Sequence, residues 1–145
     1  MQAKNSSQTY PERLQHIKSV LVEFSKKNPG ATRAFGQLHK DAITAGALDS
    51  KTKEVIALAI AVASRCDGCI AFHTHDALRA GATPAEISDA LGVAVMMGGG
   101  PSLVYATHVV EAMEQFGKVP TVDLQSVDPK KTTRSAYVES CHHFD

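Results

Sequence analysis

Glu54-Val55-Ile56-Ala57-Leu58-Ala59-Ile60-Ala61-Val62-Ala63-Ser64-Arg65-Cys66-Asp67-Gly68-Cys69-Ile70-Ala71-Phe72-His73 is the stretch on which the reading of this 145-residue chain turns. After Glu54 its first half is apolar all round, the pattern of a helix buried on most sides. The β-branched content would also suit a buried strand, but length and alanine content select a helix. The second half sets two cysteines three apart and a histidine four residues past the second. On an α-helix these three side chains fall within about 60° of one another at ~100° per residue, and so share one face. A buried helix, a break near Arg65 and a second helix opening at the cysteines predict an all-α fold.

Upstream, Thr9 with Glu12 forms a capping-box start, with Pro11 tolerated in the first turn. Leu14, Ile17, Leu21 and Phe24 recur at helical spacing, so a first helix is expected from about Tyr10 to Lys27, ended by Asn28-Pro29-Gly30. A second carries Phe35, Leu38, Ala42 and Ile43 on one face and stops at Gly46. Asp49 or Ser50 then caps the third, roughly Lys51 to Ser64. The fourth starts at or just before Cys66 and ends at Gly81. Thr83-Pro84-Ala85-Glu86 opens the fifth, which buries Ile87, Leu91 and Val95 until Gly98-Gly99-Gly100-Pro101. The sixth runs from Ser102 to about Phe116 with Leu103, Ala106, Val110 and Met113 inward. Past Gly117 the periodicity lapses. The organisation expected is a disordered N-terminus (residues 1–9), a single domain of about six helices (10–117) and a tail (118–145) crossing the surface or a partner subunit.

The bulk numbers agree. Fifteen basic and fifteen acidic side chains cancel without long runs of one sign, which argues against nucleic acid or an anionic membrane surface as partner. The 43% apolar content, without tryptophan, describes a core of Ala, Val, Ile and Leu suited to close-packed helices. No apolar run approaches the ~20 residues of a membrane span. Met1-Gln2-Ala3-Lys4-Asn5-Ser6-Ser7 lacks the apolar segment of a secretory signal, so a cytoplasmic location is expected. Three cysteines, two of them in one Cys-x-x-Cys, make no disulfide framework; in a reducing compartment such a pair is redox-active or binds metal.

A thiol of pKa ~8.5 is only slightly ionised at neutral pH, yet the thiolate is the reactive form. Cysteines in the first turn of a helix gain from unpaired N–H groups and the dipole, which favours Cys66 as the more acidic thiol. His73 can hydrogen-bond a sulfur or a bound water, and Gly68 leaves room for a second sulfur, a peroxide or a partner. Glu54, followed by apolar residues, faces inward as a carboxyl suited to shuttle a proton. Zinc is the alternative for the pair, with Cys66, Cys69 and His73 as ligands and Glu54 or His75 as a fourth. His75 and Asp76 are expected on another face, and His108 as a packed helix histidine. Cys141-His142-His143 could bind metal or form an adventitious disulfide. Gly98-Gly99-Gly100 lacks the Lys-Ser/Thr of a phosphate loop, and Met96 and Met97 belong to the core or a subunit interface. No cofactor and no resident metal are called for.

Glu54, eleven intervening residues, Cys66-Asp67-Gly68-Cys69, three more and His73 resemble the signature of the alkylhydroperoxidase D family, within the carboxymuconolactone decarboxylase-like superfamily. Ala77-Leu78-Arg79-Ala80-Gly81-Ala82-Thr83-Pro84-Ala85-Glu86-Ile87 looks like its usual continuation, and the likeness covers about residues 30 to 116. The resemblance implies a helical domain assembling into homo-trimers or homo-hexamers, with the redox helix near a subunit interface. It implies reduction of hydroperoxides, or of a partner's disulfide, through a Cys66–Cys69 dithiol/disulfide cycle. Cys69 would meet the peroxide, Cys66 would resolve it and exchange with a thiol reductant or peroxiredoxin-like partner, and Glu54 and His73 would relay the proton. One departure bears on how strong a peroxidase results: the best-studied branch has a histidine just before the second cysteine, where this chain has Gly68. Two other classes compete, a non-redox lactone decarboxylase of the same superfamily and a metal-binding or redox-sensing assembly protein.

Overall fold

Thr9 and Glu12 exchange the bonds of a capping box: the Glu12 N–H donates to Thr9 Oγ1 at 3.4 Å, and the Thr9 N–H to Glu12 Oε2 at 2.8 Å. They open α1 (Tyr10–Lys27), which is followed by α2 (Pro29–Ile43), α3 (Ser50–Ala63), α4 (Asp67–Arg79), α5 (Pro84–Gly98) and α6 (Gly100–Gln115). The computed structural model describes residues 8–117. Within them the all-α expectation holds, with six helices and no strand. Cys141 and its neighbours, and the expected disorder at the N-terminus before Gln8, fall outside the described residues.

Two boundaries differ from the sequence reading for one reason. Asn28 alone separates α1 from α2, and Gly99 alone, at φ +69°, separates α5 from α6. Pro29-Gly30 and Gly100-Pro101 therefore begin helices rather than end them. A proline in the first turn loses no intrahelical bond, because that N–H has no partner anyway.

Leu58 and Val62 of α3, Ile70 and Ala71 of α4, Ile87 of α5 and Val109 of α6 are fully enclosed and form the centre of the core. Other apolar residues expected inside are not. Leu21 and Phe24 on α1, and Phe35 and Leu38 on α2, are exposed, Phe35 by 70%, and α2 has no buried residue at all. On α6 the buried set is Ser102, Val109, Ala112 and Met113, while Leu103 and Val110 face out. Ile56 and Ile60 leave one side of α3 open, and Met96 and Met97 are exposed. A helical repeat identifies an apolar stripe but does not say what covers it.

A close contact joins α5 to α6. A Cβ on Gly98 would lie 1.9 Å from Ser102 Oγ and 3.0 Å from Ser102 Cβ, so a side chain there forces Ser102 to move. Ser102 Oγ is itself buried without a hydrogen-bond partner among the described residues. Gly98→Ala is therefore expected to lower stability by about 1–3 kcal/mol through overpacking. That cost should shrink in a Ser102→Ala background, whose removed hydroxyl had no bond to lose; a double-mutant cycle of urea midpoints reads the coupling.

Glu86 serves two masters at the start of α5. It closes the capping box with Thr83 and pairs with Lys51 Nζ of α3 at 2.6 Å. The bond from Lys51 and the Thr83 N–H hold its carboxyl down at about 2, against 4.5 ordinarily. A depressed pKa contributes stability that is complete above about 4.5 and is lost as pH falls toward 2. Glu86→Gln should flatten the acid limb of stability against pH in that window.

Candidate active site

The site starts with the way α3 ends. Arg65 takes a left-handed conformation (φ 58°), its N–H donates to Val62 O at 3.1 Å, and the Cys66 N–H donates to Ala61 O at 3.0 Å. These are the paired bonds of a Schellman turn. Cys66 is both the last residue of that turn and the N-cap of α4, its Sγ accepting the Cys69 N–H at 3.2 Å. Cys66 and Cys69 are joined as a disulfide with their Cα atoms 5.2 Å apart.

Asp67, between the cysteines, clamps the start of α4 to two other helices. Its Oδ1 accepts from His108 Nδ1 of α6 at 2.7 Å, and its Oδ2 lies 3.4 Å from Arg13 Nη1 of α1. Burial, reinforced by the Asp67 charge, pushes the nearby Tyr10 hydroxyl up to about 12. His108, expected as a plain packed histidine, thus has a specific partner. His75 and Asp76 pair with each other at 2.7 Å, and His75 does not line the pocket that holds the cysteines.

One turn beyond Cys69, His73 donates from Nδ1 to Glu54 Oε2 at 2.7 Å. Glu54 is only 4% exposed, and this is its one hydrogen bond among the described residues. The four residues singled out from the sequence are therefore brought together, three of them on one pocket and Glu54 behind His73. That pocket, about 420 Å³, runs between α1, α2 and α4. Its walls are largely apolar, from Ile17, Leu21, Phe35 and Phe72. A Cβ on Gly68 would meet Ile17 Cδ1 at 3.2 Å, so a larger residue there would press on this wall.

The sequence reading missed His39. It reaches the pocket from α2, its ring centroid 5.9 Å from that of His73. No spacing along the chain announces it, because its position depends on how α2 lies against α1 and α3. His39, Glu54 and His73 each offer one donor atom within 4.8 Å of the others.

Residues 29–112 match the Carboxymuconolactone decarboxylase family, and the chain belongs to that family. A crystal structure of a carboxymuconolactone decarboxylase family protein from Legionella pneumophila, determined in its apo form, is 45% identical, with a TM-score of 0.73 over 75% of this chain and 97% of that one. A family member from Thermotoga maritima, whose description raises an antioxidative response as a possibility, is 32% identical, with a TM-score of 0.57 over 60% of this chain and 90% of that one. An uncharacterised protein of Cupriavidus necator is 39% identical over 98 residues, 68% of this chain and 87% of that protein. The family includes both alkylhydroperoxidase D-like peroxidases and decarboxylases.

A buried carboxylate with one partner gives a test of the pair itself. His73→Leu should cost about 3–5 kcal/mol by stranding Glu54 in the core, whereas Glu54→Leu/His73→Leu together should cost far less. Glu54→Gln keeps an acceptor for Nδ1 and should cost about 1 kcal/mol. Chemical denaturation of the four proteins measures all three.

Proposed function

We propose that this chain is a thiol-dependent oxidoreductase that reduces hydroperoxides through a Cys66–Cys69 dithiol/disulfide cycle. The observation that carries this reading is the Cys66–Cys69 pair sharing one largely apolar pocket with a histidine already bonded to a buried carboxylate. The apolar walls suit the organic part of an alkyl hydroperoxide.

In the reduced enzyme His73, backed by Glu54, takes the proton of the Cys69 thiol. The thiolate attacks the terminal peroxide oxygen; the O–O bond breaks and the alcohol leaves after gaining that proton. Cys69 is then a sulfenic acid. The Cys66 thiolate attacks the Cys69 sulfur, hydroxide leaves as water, and the disulfide closes. A dithiol reductant attacks Cys66, releasing Cys69, and its second thiol frees Cys66 and departs as a disulfide. The Cys69 N–H and the positive end of α4 stabilise Cys66 as leaving thiolate in that last step. This assigns the acidic thiol to reductant exchange and the histidine-paired thiol to peroxide. A small dithiol serves as the reductant, or the reduced pair passes its electrons to the disulfide of a peroxiredoxin-like partner, and the cycle requires a reducing compartment, which the cytoplasm provides. No helix among the described residues is long and apolar enough to cross a membrane.

The same reading includes self-association as a homo-trimer or homo-hexamer. What supports it is a continuous apolar groove on α3 and α5, lined by Val55, Ile56, Ile60, Val93 and Met97, with Met97 76% exposed.

Thiol trapping with mass spectrometry, on reduced protein given one equivalent of cumene hydroperoxide, tests the cycle. Two thiols should be lost, at Cys66 and Cys69, and Glu54→Gln should slow the loss by about 10²-fold or more. Thiols that persist in the wild type would remove peroxide as substrate. Family membership also keeps the decarboxylase reading in view, and full lactone turnover by Cys66→Ser/Cys69→Ser would establish it in place of the redox cycle.

A further inference from the structure

The cycle leaves one histidine in the pocket without a task. His39 makes no hydrogen bond among the described residues, and its ring centroid lies 5.9 Å from that of His73. From three different helices, His39 (α2), Glu54 (α3) and His73 (α4) bring two imidazoles and one carboxylate to a common point, their donor atoms all within 4.8 Å of one another.

We propose that His39, Glu54 and His73 form a two-histidine, one-carboxylate site for a divalent transition cation of the zinc type, opening on the Cys66–Cys69 pocket. The fit follows from size. Three donors no more than 4.8 Å apart all lie within ~2.8 Å of a common point, and Zn²⁺ binds nitrogen and oxygen at ~2.0–2.2 Å. Side-chain rotation of under ~1 Å at each donor closes that gap. The donor types suit the ion, since imidazole and carboxylate are both good ligands for borderline cations. Burial suits it as well, because Glu54 is shielded from water with His73 as its hydrogen-bond partner, and an ion supplies compensating positive charge there. The remaining coordination positions face the pocket, where a water, a peroxide oxygen or the Cys69 sulfur can occupy them. The ion would also fasten α2, which buries no residue of its own, to the two central helices.

The site shares Glu54 and His73 with the relay proposed above but does not need them to move protons, so the two readings can fail separately. Binding is measured on the full chain with the Cys66–Cys69 disulfide closed, which removes both thiols as ligands. Cys141→Ser, His142→Ala and His143→Ala form the background, which removes the donors of the tail. Zn²⁺ by equilibrium dialysis and Co²⁺ by visible absorption should each give one ion per chain. His39→Ala should weaken binding at least tenfold, and His16→Ala, on the exposed part of α1, should leave it unchanged. Zn²⁺ should slow hydrogen exchange in α2, and this protection should vanish in His39→Ala. Absence of saturable binding, or equal affinity in His39→Ala, overturns the site. Zn²⁺ added to the reduced protein should then slow peroxide-dependent thiol loss, reversibly on chelation and less in His39→Ala, since the two thiols bind zinc by themselves in either protein. Binding at these three residues with thiol loss undisturbed would support the site and overturn the relay.

Discussion

A carboxylate placed in a hydrophobic core must have a partner, and in this protein Glu54 has His73. That requirement fixes α3 against α4. The 2.7 Å bond spans nineteen residues and crosses the interface between the two helices that pack most closely. Sliding either helix by one residue would turn its side chains by ~100° and leave a buried acid without its histidine. The apolar contacts of Leu58 and Val62 with α4 could tolerate such a shift far better, because dispersion and burial are not directional. The core gives cohesion; the Glu54–His73 hydrogen bond gives register.

The same register delivers the cysteines. Arg65 and Gly81 close the ends of α3 and α4 with identical bond patterns, each with an N–H returning to the residue three before it and the next N–H to the residue five before that. Gly81 adopts its positive φ freely. Arg65 carries a Cβ into the left-handed region, at a cost of about 1–2 kcal/mol. Neighbouring bonds hold it there: Cys66 N–H to Ala61 O behind it, and Asp67 to both His108 and Arg13 ahead. The reversal is strained at the one place where an extra residue of slack would move Cys66 away from the first turn of α4.

This division explains what the sequence could tell. Capping boxes such as Thr9/Glu12 and Thr83/Glu86 are complete within four residues, so they were legible with their boundaries. Glu54, Cys66, Cys69 and His73 were legible as a group because they lie on two consecutive helices around a single reversal. His39 was not, since it belongs to a helix whose packing no local pattern dictates. Nor was the Asp67–His108 bond, which joins residues 41 apart. The errors in α1, α2 and α6 have the opposite origin. There the apolar periodicity was real, but Leu21, Phe35 and Leu103 point where the described residues supply nothing to cover them.

Cys66 connects these levels of structure. Its backbone N–H is tied to α3, its carbonyl accepts the Ile70 N–H, and its sulfur caps α4 through the Cys69 N–H. None of the three bonds needs the bond between the sulfurs. When the disulfide opens, the backbone holding Cys66 therefore keeps its geometry, and a thiolate can retain the role of N-cap acceptor that Ser or Asp fills in other helices. A helix N-terminus favours negative charge, so the reduced pair keeps its helix cap, now with a charged acceptor, at the moment it loses a covalent link. Opening and closing the disulfide is then a change at two sulfur atoms on a scaffold that Glu54, His73 and Asp67 already hold in place.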